Sequence, residues 1–146
     1  MVDVSAKPIT LRTATATACI VMKPETAAMI RNRGASKGDV IAVAQLAGIN
    51  AVKLTPALIP LCHTILIDGV DVEFHFRDQV TLDCQVTVRS TGRTGVEMEA
   101  MCGVTASCLA VYDMCKSIDR GMTIHSVRLL AKDGGKSGPF SASPAN

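Results

Sequence analysis

From Thr13 to Met22 the threonines at 13, 15 and 17 alternate with Ala14, Ala16 and Ala18, and Ile20 and Met22 continue the apolar phase. A period of two, rich in β-branched residues, predicts a first strand. Past Pro24 a short helical stretch runs to about Ile30 and ends in the turn-prone Asn32-Arg33-Gly34. Val40, Val43, Ala44, Ala47 and Ala51 then recur at helical spacing and predict a second helix. It is expected to stop before Pro56, because proline removes a helical N–H and crowds the preceding turn. Thr55 to Thr64, with Pro56 and Pro60 inside it, reads as irregular.

Val70, Val72, Phe74 and Phe76 alternate with Asp71, Glu73 and His75, and after an Arg77-Asp78-Gln79 turn Val80 to Val88 alternate again. Two strands and a short turn make a hairpin with one wet face. Met101, Val104, Cys108, Val111 and Cys115 mark the longest helix, about Glu97 to Ile118, which should pack across the sheet. Met122 to Leu130 reads as a last strand. The order β, two helical pieces, β, β, α, β predicts an α+β fold, a ferredoxin-like antiparallel sheet with helices packed on one face. Residues 1–132 form a single catalytic domain on this reading. Residues 133–146 are a flexible Gly, Ser and Pro-rich tail with too little apolar material to pack.

The chain's 146 residues suit one domain, and 48% hydrophobic content excludes general disorder. A net charge of +2 is too small for the phosphate contacts of nucleic-acid binding, though a small anion is compatible with it. Met1-Val2-Asp3-Val4-Ser5 has no signal-peptide character, and no apolar run approaches the ~18 residues of a membrane span. A cytoplasmic protein is expected. Six cysteines without a Cys-x-x-Cys pair read mostly as small buried thiols. With His63, His75 and His125 in different elements, no structural metal is expected.

Candidate chemistry is scattered. Lys37-Gly38-Asp39 precedes the second helix, where a lysine and free N–H groups can meet one anion, or where the lysine is simply solvated beside an N-cap. Leu61-Cys62-His63 offers a proton-transferring imidazole or a packed one. Glu97-Met98-Glu99 places two carboxylates at a helix start, where the dipole favours them. Asp113 and Lys116, three residues apart, are either a surface ion pair or a tuned acid/base couple. Glu99 and Asp113 share a helix stripe but lie about 21 Å apart along its axis, so one ligand reaches both only if it is long or two chains combine. Arg89 and Arg93 add cations near the Gly92 turn. Gly135-Lys136-Ser137 is not a Walker motif, because Leu130 stands where its first glycine belongs.

Six segments in order resemble the molybdenum cofactor biosynthesis protein C family, the cyclic pyranopterin monophosphate synthases. They are Met1-Val2-Asp3-Val4-Ser5, Lys37-Gly38-Asp39-Val40, Ile59-Pro60-Leu61-Cys62-His63, Thr94-Gly95-Val96-Glu97-Met98-Glu99-Ala100, Tyr112-Asp113-Met114-Cys115-Lys116 and Gly134-Gly135-Lys136-Ser137-Gly138. One departure is Thr64, where relatives usually carry proline after the histidine. The resemblance implies a lyase that converts 3′,8-cyclo-7,8-dihydro-GTP into cyclic pyranopterin monophosphate and releases pyrophosphate. It also implies a ferredoxin-like fold and a hexamer, a trimer of dimers, with sites at subunit boundaries.

By that similarity Asp113, Lys116 and Lys37 are catalytic. Leu61, Cys62, His63, Met98 and Glu99 bind substrate, and Glu97, Arg89, Arg93 and Lys136 line the pocket. Lys116 is expected to act as general acid/base, with Asp113 positioning it or itself carrying a proton. No tightly bound cofactor is implied; a divalent cation arriving with the triphosphate is left open. The competing reading is a ferredoxin-like nucleotide-sensing module without turnover. Carboxylates beside lysines favour an enzyme, since binding alone needs only the cations.

Overall fold

The computed structural model describes residues 1–143. Its elements are β1 (Thr10–Val21), α1 (Pro24–Arg31), α2 (Val40–Leu58), β2 (Gly69–Phe76), β3 (Thr81–Gly92), α3 (Glu97–Cys115), β4 (Thr123–Asp133) and β5 (Phe140–Ser141). The strands form one sheet in the order β2-β3-β1-β4-β5, with every neighbouring pair antiparallel. Helical crossovers β1 to β2 and β3 to β4 generate the ferredoxin-like arrangement expected from the pattern.

Alternation decides which face is covered. Ala14, Ala16 and Ala18 of β1 are buried, while Thr13, Thr15 and Thr17 on the other face stay partly exposed. Small alanines at the centre of the sheet let α3 lie close over it. Val86 and Val88 of β3 and Val104 and Cys108 of α3 complete that core. A second cluster joins Ile20, Ile30, Leu82 and Val111.

The helices differ from expectation in physically legible ways. α2 runs through Pro56 to Leu58. Pro56 costs α2 only its own N–H bond back to the Val52 carbonyl, and the helix continues past it, with Ile59 N–H closing the last turn on the Thr55 carbonyl at 2.8 Å. α2 is also long and apolar enough to cross a bilayer by length and composition alone, although Gln45, Asn50 and Lys53 interrupt it, so it is not a continuous apolar run. In this fold one stripe of it, including Ala44, Gly48, Ala51 and Val52, is buried. Val43, Leu46, Leu54 and Leu58 remain exposed on other faces. α3 ends at Cys115 rather than Ile118, with Ile118 and Asp119 N–H both donating to the Cys115 carbonyl.

The chain after Asp133 does contribute structure. Phe140 pairs with Lys132 and Ser141 with Ala131, so β5 adds an edge strand where the composition predicted none. Backbone hydrogen bonding needs no apolar side chain, which is why composition missed it. The tail's last residues, 144–146, lie outside the described residues.

Candidate active site

α2 and α3 pack against each other, and their closest approach uses two glycines. A Cβ on Gly48 runs into Ser107 Oγ and comes within 3.2 Å of the Gly103 carbonyl; one on Gly103 comes within 2.8 Å of Val52. With the helices this close, the segment leading into α2 meets the end of α3. Gly38, at φ +104°, makes the turn that only glycine adopts without strain, and Asp39 caps α2 by accepting from Ala42 N–H at 3.1 Å. Lys37 is thereby turned onto Asp113 rather than towards the helix N-terminus.

Lys37 Nζ donates to the Asp113 carbonyl at 3.2 Å and stands 3.7 Å from Oδ2, while Lys116 Nζ donates to Oδ1 at 2.5 Å. Lys116, bound directly, and then Lys37 hold the Asp113 carboxyl below its ordinary value. Asp113 is therefore a carboxylate at neutral pH, the form that holds both ammonium groups beside it. All three side chains are about half exposed, open to an incoming ligand.

At the other end of α3, Leu61, Cys62 and His63 from the α2–β2 connection face Glu97, Met98 and Glu99 across a cavity of about 170 Å³. Glu99 is 2% exposed. Burial raises its carboxyl and the neighbouring Glu97 charge raises it further, against an opposing backbone hydrogen bond. Burial, then Glu99 and Cys102, push the Cys62 thiol up as well, which favours its neutral form. His63 Nε2 lies 2.8 Å from the Val2 carbonyl. Such a cavity offers carboxylate acceptors to the N–H edge of a heterocycle, and its size admits only part of a nucleotide. A larger hollow of about 580 Å³, between α2 and β2, contains none of the expected site residues.

The cations separate. Arg93 donates from Nη1 to the Ser5 carbonyl, so the segment that touches His63 also touches Arg93. Arg89 is tied to Asp71 at 2.6 Å across β2 and β3. Lys136 is exposed in the loop between β4 and β5, beyond Gly134 and Gly135, both at positive φ. Residue 135 packs against the Arg12 guanidinium, which is 8% exposed and faces the Gly92 and Arg93 carbonyls. Arg12 went unnoticed in the sequence, although it occupies the inward phase of β1 with Ala14 and Ala16. Asp119 was missed too: it is 2% exposed and accepts from Lys23 N–H at 2.8 Å and Gly121 N–H at 3.1 Å, docking α1 on the turn after α3.

Within one chain, then, the lysine–aspartate–lysine group and the carboxylate cavity lie at opposite ends of α3, roughly 21 Å apart by helix rise. Among the described residues, no three or more His, Cys, Asp or Glu side chains converge as metal ligands.

Residues 1–135 match the model of the MoaC family. The chain belongs to that family. A relative in Brevibacillus brevis named cyclic pyranopterin monophosphate synthase is 52% identical over 140 residues, spanning 96% of this chain and 88% of its own. Proteins of the same name in Limosilactobacillus fermentum and a Methylobacterium species are 54% and 53% identical, over 96% and 99% of this chain and 85% and 91% of theirs. The MoaC match takes in both ends of α3 and the segment around Val2. It stops one residue short of Lys136.

Proposed function

We infer that this chain is a cyclic pyranopterin monophosphate synthase, a lyase of molybdenum cofactor biosynthesis. It converts 3′,8-cyclo-7,8-dihydro-GTP to cyclic pyranopterin monophosphate and releases pyrophosphate. Beyond family membership, the observation that carries this reading is that Lys37, 76 residues away in sequence, joins Lys116 on Asp113.

In this mechanism Asp113 stays ionised and holds two ammonium groups at the reacting ring. Lys116 gives and takes the proton, and Lys37 offsets charge that develops on oxygen or phosphate. The cavity at Leu61, Cys62 and His63 with Glu97, Met98 and Glu99 orients the ring system through its N–H groups. Arg89, Arg93 and Lys136 supply cations for the triphosphate. No tightly bound cofactor takes part, and a divalent cation travels with the substrate if it is needed.

A complete site joins the lysine–aspartate end of one α3 to the carboxylate end of another, in a hexamer built from dimers in the cytoplasm. The exposed Leu46, Leu54, Leu58 and Leu109 on α2 and α3 supply apolar surface for such contacts. The test is incubation with the cyclic dihydro-GTP intermediate, read as pyrophosphate and an oxidisable pterin. Substrate binding without either product would favour the sensing module instead.

A further inference from the structure

Gly95 stands in the turn into α3, in the wall of the carboxylate cavity. A Cβ built on it meets Glu97 before any other group: Cδ at 2.7 Å, Oε1 at 2.8 Å and Oε2 nearer still. Gly95 is not among the glycines at positive φ, so its backbone accepts an alanine. The obstacle is the far end of one flexible side chain. Among the described residues no cation pairs with Glu97.

We propose that Gly95 is a positioning residue: its bare α-carbon is the seat on which the Glu97 carboxylate rests, keeping that charge in the cavity wall beside Glu99. A side chain at residue 95 swings the Glu97 carboxylate towards solvent and leaves the rest of the cavity in place. This deepens the functional reading above and rests on it only for the effect on turnover.

The titratable groups that line the cavity with Glu99 are Glu97 on its own helix and Cys62 and His63 from the α2–β2 connection, and of these it is the Glu97 charge that helps to raise the Glu99 carboxyl. Glu99 therefore reports where Glu97 sits. The experiment follows carboxyl titration by ¹³C NMR in the full chain, Gly95→Ala, Glu97→Ala and the double variant. The Glu99 carboxyl should fall towards its ordinary range in Gly95→Ala, and Gly95→Ala should move it no further once Glu97 is alanine. An unmoved Glu99 in Gly95→Ala, or the same displacement with and without Glu97, overturns the proposal. If Gly95→Ala lowers the melting temperature, adding Glu97→Ala should restore it; failure to restore it also overturns the proposal. On turnover, Gly95→Ala should reduce kcat/KM on the order of tenfold through misplacement of one group. A parent chain that forms no pterin defeats the functional reading, and the titrations still decide the role of Gly95.

Discussion

Gly48 and Gly103 face each other where α2 crosses α3, so near that a Cβ on residue 48 comes within 3.2 Å of the Gly103 carbonyl. Close crossing brings Lys37, ahead of α2, onto Asp113 near the end of α3. The same antiparallel packing carries the carboxylate cavity to the other end of the pair.

Gly48→Ala should therefore destabilise the fold by about 1–3 kcal/mol, the usual range for overpacking a well-filled contact. Ser107 Oγ, buried without a hydrogen-bond partner, is the first atom the new methyl meets. Ser107→Ala alone should be neutral or stabilising, since it removes an unsatisfied hydroxyl, and it should recover part of the Gly48→Ala loss. Urea unfolding of the four proteins measures the coupling; strictly additive effects contradict the contact.

Glu99 has a carboxyl raised in the folded chain, so the fold binds its proton more tightly than the unfolded chain does. Its contribution is favourable below the unfolded value and is lost as pH rises through the folded one. Glu99→Gln, neutral at every pH, should raise the melting temperature at pH 8 and give a smaller gain near pH 4. Equal gains at both pH values would deny the buried charge.

Asp113 carries the opposite sign. Its carboxyl is lowered, so the interaction with Lys116 and Lys37 is present above the ordinary aspartate value of 3.8 and disappears as pH falls through the lower folded value. In Lys116→Ala, NMR should find the Asp113 carboxyl moved upward, because its first cause is gone. An unmoved carboxyl would mean that the ion pair does not form in solution.

Lys116→Arg keeps the charge beside Asp113 and removes a titratable ammonium, since guanidinium stays protonated. Substrate binding should persist while single-turnover pterin formation falls by about 10²-fold or more, the low end of general acid/base contributions. Near-normal turnover would reduce Lys116 to an electrostatic role.

Lys37 and Asp113 touch within one chain, so mixing Lys37→Ala with Asp113→Ala should leave no intact group and restore nothing. Glu99→Ala mixed with Asp113→Ala is different, because each chain supplies the end of α3 that the other lacks. Activity should reappear in that mixture after subunit exchange. A mixture that stays inactive, or an active enzyme that light scattering finds monomeric, contradicts a site shared between subunits.

The sequence by itself determined the strands, the helices and the order in which they alternate, because periods of two and of three to four are local properties of side-chain burial. It also carried the motifs that place the chain in its family, and the pairing of Asp113 with Lys116, which one helical turn enforces. Pro56 and β5 escaped it, since one lost N–H bond at a proline does not end a helix that packing supports, and an edge strand bonds through its backbone. Only the tertiary structure decided that Lys37 completes the Asp113 group, that Arg12 and Asp119 are buried polar anchors, and that Glu97 rests on Gly95. Each of these is a contact between distant segments or a side chain's choice among rotamers, settled by how closely two helices and a sheet pack.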